Sequence, residues 1–353
     1  MTNDERQKTI PKLVRADLAL LPDYTPAHVT DPRAVIKLDS NENAYGPSPR
    51  VVQALSDTRT WQFYFGQDDV REQLARYANV APENIVITNG GDEAIDLVLR
   101  AVLEHGDVVI DAPPSFEMYR ISALANRARV FDVPRDENFA LDVETICQTS
   151  NVKVICLASP NNPDGQLLPR VDLLRLLELG ALVMLDEAYF EYAGESAVDL
   201  ISEFPNLVLV RTFSKWAGLA GLRVGYIVAS PELCNALHKL RAPYNVNWAG
   251  LVAARESLND AEYLLNNVRA TIAERERMCI ELGKLGWLEP IPSKTNFLLL
   301  RVRGREPQAI KQSLAQRGIL IRAFKSPRLK EYIRISIGTP QQNEIVLNAL
   351  RNL

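Results

Sequence analysis

The chain has 353 residues, 47% hydrophobic and 24% charged, a composition that excludes a disordered chain and leaves length for about two globular domains. With 40 basic and 44 acidic side chains the net charge is −4, so nothing argues for nucleic-acid binding. No apolar run approaches the roughly 20 residues that cross a bilayer. The first residues, MTNDERQKTIPK, have no apolar core, so no signal peptide is expected. Four cysteines (147, 156, 234, 279) and three histidines (28, 105, 238) are scattered without metal-ligand spacing, which predicts buried reduced thiols, no metal site and a cytoplasmic protein.

Between about residues 85 and 230, short apolar runs alternate with helical patterns. The runs are 85–88, 108–111, 129–133, 153–158, 181–186, 207–212 and 225–229, with helices such as 92–104 and 169–178 between them. This alternation predicts an α/β fold: a mostly parallel seven-stranded sheet covered by helices on both faces. Ligands of such sheets sit beyond the carboxyl ends of the strands. From about residue 261 a long charged helix leads into a smaller α+β unit, with strands over 296–302 and 332–337 and helices over 307–317 and 340–352. The expected domains are 45–250, and 1–44 packed with 251–353.

The chemistry gathers at the predicted strand ends. The first strand runs into Asn89-Gly90-Gly91-Asp92, a turn whose exposed amides at a helix start suit an anion; an ordinary turn capped by Asp92 also explains it. The next ends at Asp111-Ala-Pro-Pro-Ser115-Phe116, where the aromatic either stacks on a flat ligand or fills core. Ser159-Pro160-Asn161-Asn162-Pro163-Asp164-Gly165 is a rigid turn able to aim a side-chain amide. Asp186-Glu187-Ala188-Tyr189 puts a carboxylate at the end of a buried strand, which is costly unless paired. Thr212-Phe213-Ser214-Lys215, with Arg223 eight residues on, joins a Schiff-base-forming amine to groups that hold phosphate. Arg334 sits between isoleucines and, if buried, needs an anion. Each element has a plain reading alone; holding all the plain readings at five successive strand ends is the less economical account. An aldehyde bearing a phosphate, pyridoxal phosphate, fits them jointly.

These segments, with Tyr332-Ile-Arg-Ile-Ser-Ile-Gly338, resemble the fold-type-I pyridoxal-phosphate-dependent aminotransferases over about residues 20–350. Leu38-Asp-Ser-Asn-Glu-Asn43-Ala-Tyr-Gly-Pro, Ala242-Pro-Tyr-Asn-Val-Asn247 and Gly318-Ile-Leu-Ile-Arg322 look most like the subgroup acting on histidinol phosphate. The resemblance implies that Lys215 forms the Schiff base and shuttles the α-proton. Asp186 would pair with the pyridine nitrogen, and Tyr189 and Asn162 would hold the ring oxygen. Gly91, Asp92, Thr212, Ser214 and Arg223 would hold the cofactor phosphate, with Phe116 stacked on the ring. Arg334, Arg322, Tyr24 and Asn43 would bind small-molecule substrates, and Tyr64 would reach the cofactor of a second subunit in a homodimer. An aromatic-amino-acid aminotransferase and a decarboxylase of a phosphorylated amino acid are the alternatives. The chain departs from the family pattern at Tyr64-Phe-Gly-Gln-Asp68, at Asp164 where threonine is usual, and at Trp216 where a small residue is common.

Overall fold

The structure is a computed structural model that describes residues 15–21, 35–57 and 60–353. Chain order begins with β1 (Ile36–Lys37) and continues through β2 (Ile85–Thr88), β3 (Val108–Asp111), β4 (Arg129–Asp132), β5 (Val152–Ala158), β6 (Leu182–Asp186), β7 (Leu207–Thr212) and β8 (Gly225–Val228). Strands β2 to β8 form one seven-stranded sheet in the order β2-β8-β7-β6-β5-β3-β4. Only β8 runs against its neighbours. Strands β2, β6, β7 and β8 are nearly or wholly buried along their length, as expected of a sheet covered on both faces. One apolar core lies on each face, around Leu185, Leu209 and Tyr226 on one side and Val86, Met184 and Ile227 on the other.

The register levels the strand ends. Ala158 stands beside Asp186, Asp186 beside Val210, and Thr212 beside Gly225. The residues that follow β2, β3, β5, β6 and β7 therefore emerge along one edge of the sheet. Helix Gly90–Val102 begins two residues earlier than the sequence predicts, because Gly90 takes φ +82° and turns directly out of β2, a conformation cheap only for glycine.

A third core, around Leu298, Ile333 and Leu347, belongs to the C-terminal unit. There β9 (Leu288–Pro290), β10 (Phe297–Val302), β12 (Arg322–Ala323) and β13 (Tyr332–Ser336) form an antiparallel sheet in the order β12-β13-β10-β9. The two-residue β11 (Ile319–Leu320) pairs in parallel with β1, and Leu38 fills the same core. Residues 15–21 lie elsewhere: Arg15 donates to the Ala125 carbonyl (2.8 Å) and Asp17 pairs with Arg127 (3.4 Å). Helix Ala261–Gly283 spans both units, with Leu264 and Val268 in a sheet core and Met278 and Leu282 in the C-terminal core. Among the described residues no helix is long and apolar enough to cross a membrane.

Residues 43–47 are clamped against the loop after β7 by close backbone approach. A Cβ on Gly218 (φ +70°) would stand 2.5 Å from the Gly46 carbonyl carbon. Neither backbone can give way, so Gly218→Ala is expected to cost about 2 kcal/mol or more. Urea unfolding checks this; wild-type stability would refute the clamp.

Candidate active site

A cavity of about 710 Å³ opens along the levelled strand ends and is closed over by the C-terminal unit. Its floor is Asp186. This carboxylate is 9% exposed; it accepts the Tyr119 hydroxyl (2.8 Å) and the Ala188 amide (2.9 Å). Neither partner carries charge, and burial pushes its pKa up to about 6 against the pull of those two hydrogen bonds. A cation in the cavity would relieve that cost.

Lys215 lies just past β7. Its Nζ is 3.4 Å from the Ser40 carbonyl and 5.8 Å from the Tyr189 ring centroid. Burial, then the positive charge of Arg334, lowers its pKa to about 8. Thr212 and Ser214 pack their hydroxyls 2.9 Å apart. Arg223 follows in the left-handed region (φ +55°), which folds its guanidinium back to Asp92 (2.8 Å) and the Ala220 carbonyl (3.2 Å). The two bonds occupy part of a five-donor group, so N–H groups remain for an anion. Gly91 lines the cavity at the start of the helix, where backbone amides and the helix dipole favour negative charge.

The roof is polar. Arg334 on β13 is 9% exposed, and donates to Asn162 Oδ1 (2.5 Å) and the Asp39 carbonyl (3.0 Å). Arg322 on β12 stands directly across from it in register, also lining the cavity. No hydrogen bond or ion pair joins Arg322 to the described residues. Like charges opposed across two strands are unfavourable, so the pair calls for anions. Phe116 lines the wall, its ring edge-on to Tyr119 (5.7 Å, 84°).

Thus Lys215, Asp186, Tyr189, Asn162, Thr212, Ser214, Arg223, Asp92, Gly91, Phe116, Arg334 and Arg322 all line one cavity. Two of the expected site residues that the structure describes do not. Asn43 is held elsewhere: its Nδ2 donates to the Trp216 carbonyl (2.9 Å), and its Oδ1 accepts the Tyr45 amide (2.9 Å). Tyr64 is 82% exposed and stacks on Tyr244 (4.5 Å) outside the cavity. Tyr24 lies outside the described residues.

The departures from the family pattern also resolve. Trp216 turns away from the cavity into the core, stacked on Tyr77 (5.2 Å, 9°), with no partner for its indole N–H among the described residues. Asp164, fully buried, closes its own turn through Asn161 and the Gln166 amide. Sequence reasoning missed Tyr119, Asn41 and the carbonyls of Asp39 and Ser40. Asn41 sat inside the quoted Asn-Glu-Asn motif, but spacing could not choose it over Asn43.

Residues 33–350 match the profile of the family described as aminotransferase class I and II. The chain belongs to this family. Among relatives of this aminotransferase, the histidinol-phosphate aminotransferase of Roseiflexus castenholzii is 44% identical, covering 98% of this chain and 99% of its own. The chloroplastic histidinol-phosphate aminotransferase of Nicotiana plumbaginifolia is 42% identical over 91% of this chain and 79% of its own. Among solved structures, histidinol-phosphate aminotransferase from Sinorhizobium meliloti in complex with pyridoxal 5'-phosphate superposes with a TM-score of 0.87 at 27% identity, covering 98% of both chains. L-threonine-O-3-phosphate decarboxylase from Porphyromonas gingivalis gives 0.78 at 26%, covering 90% of this chain and 99% of its own.

The cavity of this aminotransferase fits such a cofactor on chemical grounds. A buried carboxylate lacking a cation suits a protonated ring nitrogen. A depressed lysine suits an aldehyde, and the Gly91, Thr212, Ser214 and Arg223 groups suit a phosphate. At pH 7 about a tenth of amines with the Lys215 value are neutral, against roughly three in ten thousand for an ordinary lysine. Only the neutral amine attacks an aldehyde. Capture of pyridoxal phosphate by the apoprotein should therefore quicken as pH rises and level off above about 8. Stopped-flow absorbance checks this; a rate still climbing toward 10.5, or an unchanged visible band in Lys215→Ala, would refute it.

Proposed function

We propose that this aminotransferase is a pyridoxal-phosphate-dependent histidinol-phosphate aminotransferase. It exchanges the amino group of histidinol phosphate with 2-oxoglutarate, giving imidazole acetol phosphate and glutamate, a step of histidine biosynthesis. The observation that carries this reading is the pair of arginines opposed across β12 and β13, one of them, Arg322, without a bonded partner among the described residues. Two anion positions above one lysine suit substrates that alternate between a phosphate and a dicarboxylate. The near-full-length relatives named for this activity support the same choice.

When bound, pyridoxal phosphate supplies an electron-withdrawing ring and a carbonyl that carries the amino group between substrates. The chain's residues do the rest. Asp186, its oxygens fixed by Tyr119 and Ala188, keeps a proton on the ring nitrogen. Thr212, Ser214, Arg223 and the amides of Gly91 and Asp92 anchor the phosphate. Phe116 would pack against the ring, and Asn162 and Tyr189 would hold its oxygen. The Lys215 amine would serve as the general base and acid for the substrate α-proton. Arg334 binds the carboxylate of glutamate; Arg322 takes the phosphate of histidinol phosphate, and Tyr24 is the further candidate there.

Removing a charge-assisted contact to a buried anion costs roughly 2–5 kcal/mol. Arg322→Ala should therefore lower kcat/KM for histidinol phosphate by about 100-fold, while phenylalanine changes less than about threefold. Steady-state kinetics with both substrates check this, and equal losses would favour an aromatic-amino-acid aminotransferase. Carbon dioxide evolved from threonine phosphate without an oxo acid would favour a decarboxylase, the activity in the name of the Porphyromonas gingivalis neighbour.

The enzyme is further proposed to act in the cytoplasm as a homodimer. Trp61, Phe63, Tyr64 and Tyr244 are exposed aromatics, with Tyr64 stacked on Tyr244, and exposed apolar surface of this kind marks interaction sites. Tyr64 stands outside its own cavity and is available to the cofactor phosphate of a partner subunit. The domain division at residues 44/45 and 250/251 belongs to this reading, with β1 joining the C-terminal unit. Light scattering should give twice the chain mass, and Tyr64→Phe should weaken cofactor binding about tenfold, the loss of one hydrogen bond to a charged group. A fully active monomer would overturn the dimer.

A further inference from the structure

Asn41 is almost completely buried, 2% exposed, and takes a left-handed conformation (φ +55°) rare outside glycine. Each of its polar groups has a partner, and the partners come from three separate segments. Its backbone N–H donates to Ser336 Oγ at the end of β13 (2.9 Å). Its carbonyl accepts from Asn296 Nδ2, beside β10 (3.0 Å). Its Oδ1 accepts from Ser336 Oγ (3.4 Å), and its Nδ2 donates to the Tyr189 hydroxyl (2.9 Å).

These bonds have a fixed direction. A backbone N–H can only donate, so the Ser336 oxygen accepts from Asn41 and turns its own proton toward Oδ1. That sets which end of the amide faces Ser336 and leaves Nδ2, which can only donate, facing Tyr189. The Tyr189 oxygen accepts there, and its own proton must leave on another side. Tyr189 and Asn41 both line the cavity that holds Lys215.

We propose that Asn41 is a positioning residue that holds the Tyr189 hydroxyl as a proton donor into the cavity, with its polarity set by the Ser336–Asn41 hydrogen-bond pair. The acceptor is the ring oxygen of the cofactor, so the inference rests on the pyridoxal phosphate reading. The charged groups lining the same pocket include Lys215, 5.8 Å from the Tyr189 ring, Asp39, Asp92, Asp186, Arg223, Arg322 and Arg334. None is bonded to the Asn41 side chain. The neighbouring residues act alongside: the Asp39 carbonyl holds Arg334 and the Ser40 carbonyl meets Lys215. Three successive residues thus touch three site groups, and Asn41 is the one that does so through a side chain.

The test is a pH titration of the visible absorption of the holoenzyme. Asn41→Asp keeps shape but can only accept, so it should turn the Tyr189 proton back toward itself. A donor at the ring oxygen competes there with the titrating proton, so losing it raises the midpoint, by roughly half to one pH unit for a neutral hydrogen bond. Tyr189→Phe should raise it as much or more, and adding Asn41→Asp to Tyr189→Phe should move it no further. Ser336→Ala, which frees the amide to flip, should give a smaller rise and guards against an unfolded Asn41 variant. An unshifted midpoint in Asn41→Asp, or a full extra shift in the Tyr189→Phe background, overturns the inference. A wild type without a visible band would instead overturn the cofactor reading.

Discussion

A carboxylate buried at the floor of a cavity must be given hydrogen bonds, a proton or a cation, and the site is arranged around how Asp186 meets that demand. The sheet register places it level with Ala158 and Val210, so it cannot retreat to solvent. Tyr119 and the Ala188 amide supply hydrogen bonds without charge. A cation would meet the rest of the demand, and Lys215, an amine lining the same cavity, is itself driven toward neutrality by burial and by Arg334. The two shifts point in opposite directions: an acid raised to about 6 and a base lowered to about 8. Both groups are held away from their comfortable states, which is how a site keeps a charge acceptor and a usable amine side by side.

The second constraint is that two cores meet over this floor. The sheet supplies Lys215, Asp186 and the Gly91, Thr212, Ser214 and Arg223 groups, and the C-terminal unit supplies Arg322 and Arg334. The strand of chain at 36–47 joins them. It pairs with Ile319–Leu320, fills the C-terminal core with Leu38, and then lies against the Lys215 loop where Gly218 admits the Gly46 backbone. Between these anchors, Asp39, Ser40 and Asn41 face Arg334, Lys215 and Tyr189 in turn. Helix Ala261–Gly283 ties the two cores on the outside by lending apolar residues to each.

Aminotransferases must accept two different substrates in one cavity. Arg322 and Arg334 are two cations held opposite each other on adjacent strands, one bonded to Asn162 and the Asp39 carbonyl, the other lining the cavity with no bonded partner among the described residues. Repulsion between opposed like charges is a standing cost that an anion beside them would relieve.

The sequence by itself determined the strand order of chemistry. Periodicity located the seven strands of the large sheet and two of the C-terminal sheet within a residue or two, though not the short β1, β9, β11 and β12, and the cost of burying Asp186, Lys215 and Arg334 marked them as candidate site residues, because a charge inside an apolar run has few uses. It also supplied the family, through motifs quoted residue by residue. It could not choose Asn41 over Asn43, two residues apart in one motif, since only the left-handed turn at Asn41 decides which amide enters the cavity and which holds Trp216. Nor could it find Tyr119, whose contact with Asp186 spans 67 positions, or tell that Trp216 turns into the core against Tyr77. Local pattern reports what a residue needs; which partner meets the need is settled when distant segments pack.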